Sequence, residues 1–225
     1  GMVTEPEPGL NGRCINLPRG KGMGGSSSIN GMCYVRGNPM DYELWEAKGA
    51  TGWHWANVLP YFQKMERVAE GGPYRGTDGP LHVTRGAEAN PLYHAFVDAG
   101  AAAGYARSAN MNQIQHEGFG PMEMTVGDGM RASAARVYLR PALKNPKVRL
   151  VTRALVKRIL FEGKTAVGVE YLHRSRVETV GARREVILSA GSIMSPMILK
   201  RSGIGPASEL AEHGIPVLHP LAGVG

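Results

Sequence analysis

Apolar and capping residues predict three helices in the first part of the chain. Asn38-Pro39 sets a capping side chain before a proline at the first helical position, which predicts a short helix to about Lys48. Apolar residues recur at helical spacing over 56–68 and predict an amphipathic helix there. Asn90-Pro91 repeats the capping device, and Gly104 should end the helix that follows.

The spacing of apolar residues changes in the second part of the chain. A short helix is predicted over 133–143, and apolar residues then alternate or cluster over 148–152, 155–161 and 167–171. These three segments predict a small antiparallel meander. Residues 185–189 form a short, largely apolar run, which is typical of a buried, parallel strand.

Two short helices complete the pattern. Ser195-Pro196 predicts the start of one helix, which Gly203 ends, and Pro206 predicts the start of another, which Gly214 ends. Helices therefore accompany both antiparallel and parallel strands. The predicted fold class is α/β with a mixed α+β character.

Composition adds a charge asymmetry to this pattern. Of the 225 residues 43% are hydrophobic, enough to bury a sizeable core, and the formal net charge is +7. Residues 131–201 hold 16 of the 26 Lys and Arg but 4 of the 19 Asp and Glu. A basic half could face an anionic cofactor, a membrane or nucleic acid, or it could be a set of solvated strand edges and helix faces.

Cysteine usage and hydropathy bound the setting. Cys14 and Cys33 form neither a disulfide framework nor a metal pair, which favours a reducing compartment. No signal peptide is predicted, and no run of about 18 apolar residues indicates a spanning helix. The seven histidines, among them His54, His82 and His116, show no metal-ligand spacing, and we assign none of them to catalysis or to a metal.

A glycine-rich run, Gly20 to Gly25, is a candidate site. It satisfies the GxGxxG pattern literally, but Pro18 disrupts the preceding strand, and no acidic residue ends a second strand roughly 20 residues later. Small residues nevertheless let successive backbone N–H groups converge on an anion such as a pyrophosphate, next to the predicted helix that Ser26 begins. The alternative is a tight loop that needs glycine for positive φ. Gly24, Gly25 and Ser26 are therefore candidate contacts of an anionic cofactor.

Two segments carry a resemblance to a known family. Gly24 to Asn30 reads GGSSSIN, with Tyr34 and Gly37 beyond it. A second long pattern, Gly191 to Gly205, follows it along the chain in the order that the family shows. Both are similar to signatures of the glucose-methanol-choline (GMC) oxidoreductase family. The resemblance covers essentially the whole chain. It implies part of an FAD-binding Rossmann-like domain with an inserted piece of the substrate domain.

Segments 117–122 and 131–136 resemble the choline dehydrogenases of that family in particular. They imply oxidation of a primary alcohol, choline to betaine aldehyde, by hydride transfer to flavin. Aliphatic or aromatic alcohols are the alternative substrates, since members that use them have similar stretches. An alternative from another class is a basic nucleic-acid-binding module built on 131–201, although no recognition motif accompanies the charge.

The resemblance also implies positions for the cofactor, FAD. Around the isoalloxazine and pyrophosphate it implicates Gly22, Asn30, Gly31, Met32 and Cys33. For the adenine end it implicates Val156, which could equally be strand core, and it sets Ala190 and Gly191 close to the nucleotide. Ile29 occupies the position at which some members tether flavin through a histidine, so the FAD should be non-covalent.

The family pattern has parts that this sequence lacks. The resemblance implies a strand, a GxGxxG turn and a helix upstream, and a histidine pair or histidine–asparagine pair beside the flavin downstream. We therefore expect an internal part of an enzyme, with no catalytic residue and no turnover of its own. The predicted divisions are a partial FAD-binding domain at 1–85, a substrate-domain segment at 86–130 and the continued FAD-binding domain at 131–225.

The resemblance finally implies partners for the parent enzyme. These are a small-molecule alcohol as substrate and a respiratory electron acceptor, with no nucleic acid. The expected localisation is cytoplasmic, with peripheral association at the inner membrane face for the parent.

Overall fold

The computed structural model of the chain describes residues 2–114 and 116–225. The chain divides into two compact units, Gly1–Val148 and Arg149–Gly225, and each has its own arrangement of elements. Helices and strands occur in both units, which confirms the predicted mixed fold class. The division into cofactor and substrate segments stays a prediction.

Helices of the first unit are α1 (Pro39–Ala47), α2 (Trp55–Met65), α3 (Pro91–Ala102) and α4 (Arg140–Ala142). The first and third begin where the capping residues Asn38 and Asn90 predict them. Asn38 and Asp41 form a capping box at the start of α1, and the Asn90 side chain caps α3. Across residues 2–114 and 116–225, no helix is both long and apolar enough to cross a membrane.

Two helix predictions of the first unit are modified by the structure, and in the second unit the helix predicted to start at Ser195-Pro196 begins four residues earlier, at Gly191. The helix predicted over 56–68 ends at Met65, because the backbone becomes extended at Glu66 (φ −94°, ψ 156°) and joins a strand. The helix predicted over 133–143 forms as a π turn, Ala135–Leu139, that continues into α4.

Short strands of the first unit pair as two-stranded ladders. They are β1 (Met2–Val3), β2 (Asn16–Leu17), β3 (Glu66–Arg67), β4 (Leu81–His82), β5 (Thr84–Arg85), β6 (Glu123–Met124), β7 (Val126–Gly127) and β8 (Met130–Arg131). β3 and β4 pair in parallel, whereas the β1–β2, β5–β6 and β7–β8 ladders are antiparallel. A core of Tyr34, Val68 and Val83 packs beside these ladders, with Met65 and Leu81 partly buried against it.

The second unit contains an antiparallel meander, in which the strands predicted over 155–161 and 167–171 form and a third strand, Arg176–Gly181, is one that the sequence pattern does not predict. Its elements are β9 (Ala154–Glu162), β10 (Thr165–His173), β11 (Arg176–Gly181), α5 (Gly191–Arg201), β12 (Ile204–Gly205), α6 (Ala207–Glu212) and β13 (His219–Pro220). β10 lies between β9 and β11 and pairs antiparallel with both. Ser202, after α5, accepts a hydrogen bond from the Ile159 N–H at 2.8 Å and so joins the helix end to β9.

Two predicted strands do not form. Residues 148–152 precede the meander, and the Val148 N–H donates to the Asn145 carbonyl in a turn. Residues 185–189 are irregular, and Ile187 is 78% exposed. A strand needs a hydrogen-bonded neighbour, and within the part of the chain that the structure describes nothing pairs with this run.

Candidate functional site

The glycine run forms a tight loop that needs its glycines. Gly24 and Gly25 have φ of +87° and +53°, in the left-handed region that favours glycine. A Cβ on Gly20 would lie 2.2 Å from the carbonyl carbon of Gly25, and one on Gly24 would lie 2.5 Å from Ser28 Oγ. The loop therefore requires these glycines whether or not a ligand binds.

Serine side chains close the loop and lead into a shorter helix than the sequence predicts. The Gly20 N–H donates to Ser26 Oγ at 3.1 Å, and the Ala134 N–H donates to Ser27 Oγ at 2.9 Å. The helix that follows is a 3₁₀ turn of four residues, Gly25–Ser28. The peptide dipoles of such a turn sum to less than those of an α-helix, so the loop geometry matters more than a helix end.

The loop leaves consecutive backbone donors free. Among residues 2–114 and 116–225, no acceptor receives the N–H groups of 21–24. A Cβ on Gly22 would meet nothing within 4 Å, so the space beside it is open. Consecutive N–H groups next to a left-handed glycine form a concavity suited to an anion. The residues present thus fit the pyrophosphate of a dinucleotide.

Residues 30–33 are held by a strand and by an arginine. Arg131 Nη1 donates to the Asn30 carbonyl at 2.7 Å and to Asn30 Oδ1 at 2.8 Å. Met32 has φ +63°, and its carbonyl accepts from the Thr125 N–H at 2.8 Å. The Cys33 side chain is exposed. The candidate residues from Gly22 to Cys33 therefore belong to one continuous, well-anchored segment.

The remaining candidate residues lie in the second unit. Val156 is half-buried in β9, opposite Tyr171 of β10. Ala190 and Gly191 are exposed at the start of α5, and the Ala190 N–H donates to Ser195 Oγ at 3.0 Å. The strand predicted just before them does not form, so these two residues follow an irregular segment.

Charges of the basic region 131–201 are partly neutralised within the second unit. Lys157 and Arg158 lie 3.7 and 3.1 Å from the Glu170 carboxylate, and Lys200 lies 2.7 Å from that of Glu209. These ion pairs favour the interpretation of the basic region as a set of solvated strand edges and helix faces.

His54 and Trp55 have structural roles in the first unit. His54 Nδ1 accepts from the Ala56 N–H at 3.2 Å and so caps α2, while Nε2 lies 2.9 Å from Glu43. Trp55 is buried, with its ring centroid 5.6 Å from that of Tyr42. These contacts account for both side chains structurally, and we assign neither to catalysis.

A buried ion network lies in the first unit, and no sequence motif predicts it. The Glu66 side chain is 0% exposed, and Oε1 lies 2.6 Å from Arg36 Nη2 and 2.9 Å from Arg75 Nε. The Arg36 contact is an ion pair without hydrogen-bond alignment. Arg75 also reaches Glu123 at 3.0 Å. Two arginines thus face two carboxylates, and the network is neutral as a whole.

The network sets the pKa values of its buried groups. Burial raises the pKa of Glu66, but hydrogen bonds from Arg75 and the Gly76 N–H and the charge of Arg36 hold the net pKa below the usual 4.5. Burial also raises the pKa of Tyr34 to about 12. At neutral pH the Glu66 carboxyl group is therefore ionised and the Tyr34 phenol is neutral.

Asn112 links the network to the segment that follows Cys33. Its Nδ2 donates to the Tyr34 carbonyl at 2.9 Å, and its Oδ1 accepts from the Arg36 N–H at 2.7 Å. The Tyr34 N–H in turn donates to the Glu123 carbonyl. The partners lie far apart along the chain, so only the folded structure shows the arrangement.

Comparison with known proteins gives a family. The GMC oxidoreductase family model matches residues 4–223. The oxygen-dependent choline dehydrogenase of Brucella anthropi is 54% identical over 226 residues, an alignment that covers 100% of this chain and 41% of that protein. The chain therefore spans less than half the length of the curated relatives that it matches.

Solved structures agree in fold. A pyridoxine 4-oxidase from Mesorbium loti is 34% identical with a TM-score of 0.88, covering 98% of this chain and 44% of the other. An FAD-dependent oxidoreductase from Chaetomium thermophilum is 32% identical with a TM-score of 0.91, covering 100% of this chain and 42% of the other.

Proposed function

The chain belongs to the GMC oxidoreductase family, and from that membership we propose that it is part of an FAD-dependent dehydrogenase that oxidises choline to betaine aldehyde. The observation that carries the proposal is the 54% identity, over the whole chain, to a relative named as an oxygen-dependent choline dehydrogenase. Because the chain spans 41% of that relative, the activity is proposed for the full-length protein that contains it.

The proposed cofactor residues of the first unit surround the glycine loop. When bound, FAD supplies a two-electron acceptor for the hydride of the alcohol. The free N–H groups of 21–24 would hold its pyrophosphate, and the open space beside Gly22 permits close approach of the backbone. The proposed set also includes Gly24, Gly25, Ser26, Asn30, Gly31, Met32 and Cys33.

The proposed cofactor is non-covalent. Ile29 occupies the position of the tethering histidine, and its alkyl side chain, 59% exposed, has no atom that could form the bond. Release of unmodified FAD from the denatured holoenzyme supports this assignment, whereas flavin that stays with the precipitated protein contradicts it.

In the second unit, Val156, Ala190 and Gly191 are the proposed contacts of the nucleotide end. Ala190 is the N-cap and Gly191 the first residue of α5, and both are exposed, so this backbone is accessible to a ligand. We also propose the division 1–85, 86–130 and 131–225 into FAD-binding, substrate and FAD-binding segments. No residue of the chain is assigned to proton removal from the alcohol.

Steady-state kinetics on the full-length protein test the substrate. We expect a higher kcat/KM for choline than for butanol, benzyl alcohol or pyridoxine, the last chosen because a pyridoxine 4-oxidase is a structural match. Absence of choline turnover by a protein that contains flavin would refute the choline proposal and leave the aliphatic or aromatic alcohols as substrates.

The same protein tests the electron acceptor and the location. We propose a respiratory acceptor, and the oxygen-dependent name of the relative makes oxygen the competing one. Choline-dependent reduction of a quinone analogue without oxygen uptake supports the proposal, and oxygen uptake at an equal rate contradicts it. Cell fractionation tests cytoplasmic localisation with peripheral membrane association, which high salt should reverse.

A further inference from the structure

Arg131 contacts the proposed cofactor segment through one of its three side-chain nitrogens. Nη1 donates to the Asn30 carbonyl at 2.7 Å, to Asn30 Oδ1 at 2.8 Å and to the Ser27 carbonyl at 3.3 Å. Ser27 lies in the 3₁₀ turn that follows the glycine loop, and Asn30 lies two residues after its end. One guanidinium group thus joins β8 to both the backbone and a side chain of this segment.

These contacts orient the Asn30 amide. Oδ1 receives two donors, Arg131 Nη1 and the Met32 N–H at 3.1 Å, and a nitrogen in its place would repel both. The Asn30 Nδ2 is therefore on the opposite side, and within 2–114 and 116–225 it makes no hydrogen bond. Its two hydrogens are free to donate to a ligand.

The charge of Arg131 is also uncompensated within the described chain. Arg36 and Arg75 each face a carboxylate, whereas Arg131 meets only carbonyl and amide oxygens and forms no salt bridge to a described residue. Nε and Nη2 are not buried and have no protein acceptor among those residues. A permanent positive charge therefore lies beside the proposed cofactor segment.

We propose that Arg131 is a positioning residue for the FAD, which fixes Asn30 as a hydrogen-bond donor to the cofactor and supplies the positive charge beside it. The proposal rests on the proposed function, since it takes residues 30–33 as cofactor contacts. A positive charge near the flavin favours the more negative, reduced state. Arg131 should therefore affect both the affinity for FAD and its reduction potential.

The test compares variants of the full-length protein by titration with FAD and by spectroelectrochemistry. In R131Q we expect the Kd for FAD to rise on the order of 10- to 100-fold, as for loss of a charged hydrogen bond, and the reduction potential to fall. R131K keeps the charge but not the planar fork, so its Kd should rise while its potential stays near that of wild type. R140Q removes the same charge from an exposed site and should change neither.

A double-mutant cycle tests the route through Asn30. The Kd of N30A/R131Q should be close to that of the single variant that binds FAD more weakly, because both changes remove the hydrogen bond that the Asn30 side chain donates. Full additivity would show that Arg131 does not act through Asn30.

The outcomes separate this inference from the proposed function. If the wild type binds FAD and R131Q has the same Kd and reduction potential as the wild type, the role of Arg131 is overturned and the proposed function is not affected. A wild type that binds no FAD would overturn both. If Arg131 only stabilised the loop, R131Q and R131K would lower the unfolding temperature equally and leave the potential unchanged. If R131Q does not fold, a weaker Kd with a wild-type potential in R131K still supports the proposal, and a wild-type Kd in R131K overturns it.

Discussion

Replacing Glu66 by glutamine tests the buried ion network most directly. The carboxylate is 0% exposed and serves Arg36, Arg75 and the Gly76 N–H at 2.6, 2.9 and 2.8 Å. In E66Q, Arg75 keeps Glu123, whereas Arg36 loses the carboxylate that it faces, and the new NH₂ group faces the donors of both arginines. Removing one partner of a buried ion pair costs about 3–5 kcal/mol. At roughly 2–4 °C per kcal/mol for 150–250 residues, Tm should fall by up to about 6–20 °C, and by less in the full-length protein because the entropy of unfolding grows with length.

Urea and thermal unfolding of the full-length protein, monitored by circular dichroism, measure this loss. D98N is the matched control: Asp98 and Arg107 lie 2.6 Å apart, but their side chains are 64% and 57% exposed. A solvent-exposed pair contributes about 0.2–1 kcal/mol, so D98N should be nearly neutral. If E66Q loses no more unfolding free energy than D98N, the buried network is not a major source of stability.

Three further predictions concern pH and the glycine loop. Since the folded-state pKa of Glu66 lies below 4.5, its contribution to the free energy of unfolding is present above pH 4.5 and lost as the pH falls further. Wild type should therefore lose more unfolding free energy in acid than E66Q, which urea melts at different pH values would show. The pKa of Tyr34 is raised from 10.0 to about 12, so its contribution is full below pH 10.0 and is lost towards pH 12. Tyrosinate absorbance should show a late-titrating component that Y34F reduces by one phenol. G20A should destabilise the loop, because its Cβ would meet the Gly25 backbone at 2.2 Å. The Cβ of G22A meets nothing within 4 Å, so this variant should keep the wild-type Tm and weaken FAD binding. Thermal melts and FAD titrations of the two variants test both expectations.

Local signals in the sequence account for much of the fold. The capping residues Asn38 and Asn90 locate two helix starts because a cap is a contact between neighbours in the chain. The strand predicted over 185–189 fails for the opposite reason, since an apolar run forms a strand only where another strand pairs with it. The period of a sequence carries no information about that partner.

The candidate site divides in the same way. The need for glycine at Gly24 follows from loop chemistry, and its φ of +87° agrees with that expectation. The contact between Asn30 and Arg131 spans 101 residues, and the one between Arg36 and Asn112 spans 76. Side chains brought together over such separations are fixed by the packing of ladders, so sequence spacing could not reveal them.

Arginine acts in two different electrostatic ways within the first unit. Arg36 and Arg75 are balanced by Glu66 and Glu123, so they hold strands and loops together without adding net charge. Among the described residues Arg131 meets only neutral oxygens, so its charge is available to an anionic ligand. Removing Glu66 therefore leaves a net positive network in a weakened fold, while removing Arg131 takes positive charge from the loop and leaves the network intact. This division of roles requires that R131Q lose FAD affinity and that E66Q lose more unfolding free energy than R131Q.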